Sequence, residues 1–203
     1  DVYELLVDES PDRGKEYRVS LDWNDSERLR EFLRLRFISN GLNQSLSFQS
    51  VWNSICVSHI NGEETSEYLM DRSLMRPRYF LTLVNHCKSN AVNFRHSKIL
   101  EKDIEKACEA YSADLVNEIG LEIRDVFPNA EDILYFFIAK PSFFALSDLR
   151  EILREAVDTD EDIQRLIEIL FWFGFLGVRA TKNGNIKDTY IYDVFYDMKK
   201  LRR

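Results

Sequence analysis

Apolar residues recur every three or four positions through the first two thirds of the chain, which is the spacing of one helix face. The pattern predicts five helices between residues 24 and 128. Asp25 or Ser26 suits the N-cap of the first helix and Ser47 that of the second, because their short side chains can accept backbone hydrogen bonds. The predicted core faces of helices one, two, four and five are Leu29, Phe32, Leu33 and Phe37; Phe48, Val51, Trp52, Ile55, Cys56 and His59; Phe80, Leu83, Val84, Cys87 and Ala91; and Ile104, Ala107, Cys108, Tyr111 and Leu115.

Prolines mark two helix ends in this region. Pro77 suits the first position of the fourth helix, where an N–H group would have no intrahelical partner. The third helix is expected to be short, around Glu63–Arg72, and the fifth to run to Phe127. Pro128-Asn129 is the clearest boundary in the chain. A helical domain over residues 24–128 is therefore predicted.

Shorter elements are predicted after this boundary. A short apolar helix at Ile133–Ile138 leads to a brief strand at Phe143–Leu146 and to a helix capped by Ser147. A further helix begins at Thr159, where Asp162 three residues later completes a capping box.

Two last strands are predicted at Phe175–Thr181 and Thr189–Val194, after a helix stop at Gly174. Asn183-Gly184 between them is typical of a two-residue hairpin turn. Helix, short strand, helix, helix and hairpin is the order of a winged helix, so residues 129–203 are predicted to form that domain. The fold class is thus mainly α, with a helical bundle followed by a winged helix.

Residues 1–23 read as the end of another domain. Tyr17–Trp23 alternates like a short strand, which cannot be stable alone in water. The segment lacks both an initiator methionine and the basic and apolar regions of a signal peptide. We therefore expect a chain cut from a longer protein.

Composition indicates an ordinary globular protein. Apolar residues make up 45% and charged residues 31%, the net charge is −8, and no stretch is apolar enough to span a bilayer. Cys56, Cys87 and Cys108 are expected to be reduced thiols in a cytoplasm. Cys56 with His59 resembles half of a zinc site, but the cysteines lie in apolar stripes, so no metal is expected.

Several segments resemble the C-terminal part of AAA+/STAND-like bacterial P-loop ATPases and of origin-recognition-type ATPases. They are LDWNDSERLREFLRLRF (Leu21–Phe37), MRPRYFLTLVNHCKSNAV (Met75–Val92), ILEKDIEKACEAYS (Ile99–Ser112) and the opening DVYELL. The resemblance implies a helical lid followed by a winged helix, with residues 1–23 ending the ATPase core. It also implies that the chain couples nucleotide state to a winged-helix interaction module.

The chain carries no complete active site by sequence. It has no G-x-x-x-x-G-K-[ST] motif, no strand ending in paired acids and no G-x-S-x-G elbow, so no catalytic residue is assigned. ATP and Mg²⁺ are expected only with an upstream core of the same polypeptide.

Arg76 and Arg78 are the first candidate functional residues. Cations at the start of a helix oppose its dipole and therefore favour an anionic partner. The resemblance implies a nucleotide-sensing contact with the γ-phosphate; the alternative is an ion pair with Asp71 or Glu67.

Arg34 and Arg36 are candidates for an arginine acting in trans across a subunit boundary. The alternative is an ordinary solvated helix face. A homo-oligomer or a protein partner is therefore among the expected partners.

DNA is the second candidate ligand. The predicted recognition helix begins Asp160-Glu161-Asp162, which would repel phosphates, whereas Arg179, Lys182 and Lys187 surround the wing turn. Contact with DNA mainly through the wing is thus an alternative, and packing against protein is favoured. A non-enzymatic scaffold is the third hypothesis, with an aromatic surface of Tyr190, Tyr192 and Tyr196 on the last strand.

Overall fold

The computed structural model describes Trp23 and residues 25–41, 43–130, 132–182, 185–194 and 196–201. The predicted strand Tyr17–Trp23, apart from Trp23, lies outside these residues, as does the turn Asn183-Gly184. The elements of the first part are α1 (Ser26–Ser39), α2 (Phe48–Ile55), β1 (His59–Ile60), β2 (Glu63–Glu64), α3 (Thr65–Arg72), α4 (Pro77–Asn93) and α5 (Glu101–Val126).

Local sequence signals fix the starts of the first helices. The Asp25 carboxylate accepts the Glu27 N–H at 3.0 Å, and the Ser47 hydroxyl accepts the Ser50 N–H at 3.2 Å. These contacts confirm the predicted caps of α1 and α2. Pro77 is the first residue of α4, as predicted.

The segment between α2 and α3 differs from the prediction. The second helix ends at Ile55, and β1 and β2 form a hairpin around Asn61 and Gly62, both in the left-handed region. Such a pair is typical of a type I′ turn. His59 is therefore a strand residue rather than part of a helix face.

The helices of this part bury one continuous apolar cluster, the first core. α5 packs along α4, and α1, α2 and α3 close the other sides. The first core consists of Leu29, Leu33, Phe48, Trp52, Cys56, Ile60, Tyr68, Leu69, Met70, Tyr79, Phe80, Leu83, Val84, Cys87, Ala91, Ile99, Ile104, Ala107 and Tyr111.

A second core begins where α5 passes beyond the first, since Ile119 and Ile123 pack with later residues. The elements of this part are two 3₁₀ helices (Pro128–Ala130 and Ile133–Phe137), α6 (Leu146–Arg154), α7 (Asp160–Trp172), β3 (Val178–Lys182), β4 (Asn185–Thr189), a third 3₁₀ helix (Ile191–Val194) and α8 (Met198–Leu201). The second core consists of Ile119, Ile123, Ala130, Ile133, Leu134, Leu149, Leu153, Val157, Ile163, Leu166, Ile167, Ile169, Leu170 and Leu176.

The fold class is the predicted one: a mainly α-helical chain with a bundle, two helices of winged-helix order and a small hairpin. Thr159 caps α7 by accepting the Asp162 N–H at 3.1 Å, and Gly174 follows its end with a φ of +75°. Both signals are confirmed. No described helix is long and apolar enough to cross a membrane.

Three details of the winged-helix part were predicted wrongly. Residues Phe143–Leu146 form no strand, and α6 begins after Ala145, whose N–H is bound by Asp148 rather than capped by Ser147. The short helix predicted at Ile133–Ile138 is confirmed, as a 3₁₀ helix over Ile133–Phe137.

The final strand is the third error. Lys182 pairs with Asn185, so the connection has two residues and the return strand ends at Thr189. Tyr192 consequently lies buried in a 3₁₀ helix and does not alternate with Tyr190 and Tyr196 along a strand.

Candidate coupling site at the junction of the two cores

The turn between α3 and α4 has an unusual backbone. Leu74 and Met75 are consecutive non-glycine residues in the left-handed region, with φ values of 55° and 54°. Each such residue costs roughly 1 kcal/mol, and this strain persists only where surrounding contacts impose it. Here Leu74 N–H donates to Asp71 O at 3.0 Å, and Met75 N–H donates to Met70 O at 3.1 Å. The fully buried Ser73 hydroxyl donates to the same Met70 carbonyl at 2.7 Å.

This turn places Leu74 between the two cores, and its side chain packs against both. A Cβ atom added at Gly174, just past the end of α7, would lie 3.7 Å from Leu74 Cδ1 and 3.6 Å from Tyr192 Cε1. The backbone at the end of α7 thus approaches the strained turn closely. Movement of α7 relative to the bundle would have to displace Leu74.

Arg76 follows this turn as the N-cap residue of α4 and makes no capping bond with its side chain. Its guanidinium lies 5.2 Å from the Tyr79 ring centre and 3.7 Å from Glu122 Oε2 on α5. Its charge also interacts with the Tyr196 hydroxyl, in the segment just before α8. Arg76 therefore links α4, α5 and the C-terminal segment.

The charges around Arg76 sustain its ionised form. Burial opposes the charge, but the interactions with Tyr196, Tyr79 and Glu122 outweigh it, so the Arg76 pKa lies above its usual value. Burial, and then the negative charge of Glu122, raise the pKa of the Tyr79 hydroxyl. At neutral pH the cluster therefore holds the Arg76 cation beside a neutral Tyr79 hydroxyl.

Arg78 has a different environment from Arg76. Its side chain is 81% exposed, against 25% for Arg76, and its ion pair is with Glu118 at 3.4 Å. Neither arginine pairs with Asp71 or Glu67, the two acids that the sequence suggested as structural partners. The structure therefore separates two residues that the sequence left equivalent.

Glu118 and Glu122 were missed by sequence reasoning. They lie about forty residues after the arginines, and only the packing of α5 along α4 brings them close. Their four-residue spacing, which places both on one face of α5, was the available signal.

Arg34 and Arg36, the two candidate arginines of α1, form local contacts. Arg34 binds Glu31 at 2.6 Å and donates to the Gln44 carbonyl at 3.2 Å, which ties α1 to the loop that follows it. The Arg36 guanidinium lies 5.9 Å from the Phe32 ring centre. Nothing in these contacts tests a role across a subunit boundary.

The wing presents less positive charge than its sequence suggests. Arg179 binds Asp188 on the paired strand through two bonds of 2.6 and 2.7 Å. This hydrogen bonding raises the pKa of Arg179 and lowers that of Asp188. Lys187 is exposed, and the side chain of Lys182 lies outside the described part of the chain.

The buried cysteines are poor nucleophiles. Burial raises the pKa of the Cys56 thiol to about 12 and raises that of Cys87 as well. Within the described ranges, no group of three or more metal-ligating residues comes together.

The model of the FunZ-associated C-terminal helical domain matches residues 27–120. The matched region contains the whole first core, Arg76, Arg78 and Glu118.

Two curated proteins are also similar to the chain. The 80.3 kDa transposon gamma-delta protein of Escherichia coli (strain K12) is 22% identical over 203 aligned residues, which cover 88% of this chain and 28% of that protein. Allergen Alt a 2 of Alternaria alternata is 22% identical over 147 residues, covering 68% of this chain and 73% of the allergen. The chain thus spans little more than a quarter of the transposon protein. No solved structure matches the chain significantly.

Proposed function

We propose that the chain is a C-terminal coupling region of a larger P-loop ATPase, in which the helical bundle transmits the nucleotide state to the winged-helix part. One observation carries the proposal: Arg76 and the strained turn before it lie where the two cores meet. A residue at this position senses displacement of either core, because it contacts α4, α5 and the C-terminal segment.

The comparisons support a place in a larger protein. The matching family is described as a C-terminal helical domain, and the chain aligns with a fraction of the transposon protein. The resemblance of the chain to ATPase lids is the reason for proposing that the rest of this larger protein is a P-loop ATPase core.

The exposures of the two arginines suggest separate roles. Arg78 is exposed and held by one long ion pair, which a phosphate could replace, because guanidinium groups bind phosphate oxygens well. Arg76 is enclosed and joins the cores. We therefore assign phosphate contact to Arg78 and coupling to Arg76.

The test is ATP hydrolysis by the full-length protein that contains this chain. Arg78→Ala is expected to lower kcat about 100-fold, as loss of a phosphate-stabilising arginine does. Arg154→Ala is the matched control, since Arg154 is also exposed and pairs with Asp160 at 3.3 Å. It should leave kcat unchanged.

Two results contradict the proposal. A full-length protein that neither binds nor hydrolyses ATP removes the ATPase assignment. Equal activities of the Arg78→Ala and Arg154→Ala proteins remove the assigned role of Arg78 while leaving the class of enzyme intact.

A further inference from the structure

The segment from Ser73 to Leu100 differs in charge from the rest of the chain. It contains five arginine and lysine residues and no aspartate or glutamate, within a chain of net charge −8. Part of this segment forms one wall of a groove on the side of the bundle formed by α1 and α4. The groove has a volume of about 650 Å³ and lies within the region matched by the family model.

Two helix stripes form the walls of this basic groove. Leu33, Arg36, Phe37 and Asn40 follow one another on a face of α1 and its C-cap. The stripe on α4 consists of Leu81, Val84, Asn85, Lys88, Ala91 and Val92. From Leu81 to Val92 the wall is about 17 Å long, which corresponds to three helical turns.

The floor of the groove is apolar and held in place. Ile99 N–H donates to Ile55 O at 2.8 Å, and Val57 N–H donates to Ile99 O at 3.0 Å. His96, beside Ile99, is fixed through Nδ1 by the fully buried Asp103 at 2.8 Å. The groove is therefore preformed rather than opened by a ligand, which lowers the entropic cost of binding.

The rim of the groove is cationic. Arg36, Lys88 and Lys98 are exposed and form no ion pair with any other described residue, and none of the described residues that line the groove is acidic. Elsewhere on the bundle, arginines such as Arg30 and Arg34 are paired with acids. Three cations that lack an acidic partner among the described residues thus surround this apolar floor.

We propose that the basic groove binds an acidic amphipathic helix of a partner protein. An apolar trough three turns long accepts one face of such a helix, with anchors at i, i+3, i+4 and i+7, and the rim attracts the carboxylates beside them. Nucleic acid fits less well, since a phosphate backbone has no apolar face to cover Leu81 and Val92. This inference does not depend on the proposed function.

The test is fluorescence anisotropy of the full chain with a labelled helical peptide of about 14 residues, carrying leucine at i, i+3, i+4 and i+7 and glutamate elsewhere. The same peptide with lysine in place of glutamate is the charge control, and a labelled DNA duplex is a third probe. The acidic peptide should bind, with an affinity that falls as salt rises.

Charge reversal at the rim should weaken this binding. Lys88→Glu is expected to raise the Kd about tenfold, since it replaces an attraction with a repulsion. Lys199→Glu, at an exposed position on α8, makes the same change of charge elsewhere and should have no effect.

The apolar contact has its own matched pair of variants. Val92 is 64% exposed at the end of the groove, and Ile186 is 68% exposed on β4. Val92→Asp should raise the Kd about fivefold and Ile186→Asp should not, because a desolvated carboxylate opposes docking of an apolar face. Both side chains are exposed, so both variants should fold.

Three results overturn the inference. They are no binding of the acidic peptide, equal binding of the lysine peptide, and equal effects of Lys88→Glu and Lys199→Glu. DNA that binds more tightly than the peptide, with the same dependence on Lys88, also overturns it and assigns the groove to nucleic acid.

Discussion

Helices α4 and α7 begin in opposite ways. α7 starts with a capping threonine and three acids in its first turn, so its own sequence satisfies the N-terminal N–H groups and the dipole. α4 starts with Arg76, Pro77 and Arg78 and has no side-chain capping bond. Its charges are matched instead by Glu118 and Glu122 on another helix.

This difference shows which helix start depends on tertiary structure. A locally capped start remains satisfied when neighbouring elements move, whereas the start of α4 changes its partners if α5 or the C-terminal segment shifts. A helix whose first residues depend on two other elements is suited to transmit movement between them.

Removing Arg76 should have the largest effect on stability. Arg76→Ala should lower the free energy of unfolding by about 2 kcal/mol, because it removes the contacts with Tyr79 and Tyr196 and leaves Glu122 without its cation. Chemical denaturation followed by circular dichroism measures this change. If Arg76→Ala lowered the free energy of unfolding no more than Arg154→Ala does, the junction would contribute little to stability.

Removing the cap of α7 should have a smaller and purely local effect. Thr159→Ala should cost about 1 kcal/mol, since the Asp162 N–H loses its acceptor. Thr159→Ser, which keeps the hydroxyl, should restore most of the loss. If Thr159→Ala also perturbed NMR signals of the Arg76 cluster, α7 would not be the independent element described above.

Alkaline pH should weaken the start of α4, where Tyr79 lies. Burial and Glu122 raise the folded-state pKa of Tyr79, so above about pH 10 the unfolded chain loses this proton first. Stability contributed by Tyr79 is therefore complete below that pH and declines as the pH rises through the folded pKa. In denaturant titrations, the free energy of unfolding of the Tyr79→Phe variant should decline less steeply between neutral and alkaline pH than that of the unsubstituted chain. An equally steep decline with pH in the Tyr79→Phe variant would contradict the environment assigned to Tyr79.

The smallest effect is expected at Arg78. An ion pair as exposed as that with Glu118 contributes about 0.5 kcal/mol or less, so Arg78→Ala should leave stability almost unchanged. A loss similar to that of Arg76→Ala in the same denaturation experiment would show that the two arginines act alike.

Local signals in the sequence predicted most of the helices. Asp25, Ser47, Pro77, Thr159 and Gly174 each fix an element end through a contact within a few residues, so their effect is readable without the fold. The overlooked hairpin at Asn61-Gly62 had an equally local signal.

The junction could not be predicted in the same way. The left-handed conformation of Leu74 and Met75 is imposed by tertiary packing against its intrinsic cost, and the sequence shows no glycine or asparagine there. The pairing of Arg76 with Glu122 and Tyr196 likewise requires α5 and the C-terminal segment to be in place. Long-range partners of this kind leave only a weak trace in spacing.

A double-mutant cycle between Arg76 and Tyr196 tests most directly whether Arg76 joins the bundle to the C-terminal segment. Unfolding free energies of the chain with Arg76→Ala, with Tyr196→Phe and with both changes give the coupling energy, and Arg154→Ala with Asp160→Asn provides a local surface pair for comparison. We predict a coupling of about 1 kcal/mol for Arg76 with Tyr196 and about 0.3 kcal/mol for the surface pair. Strictly additive effects of Arg76→Ala and Tyr196→Phe would contradict the account.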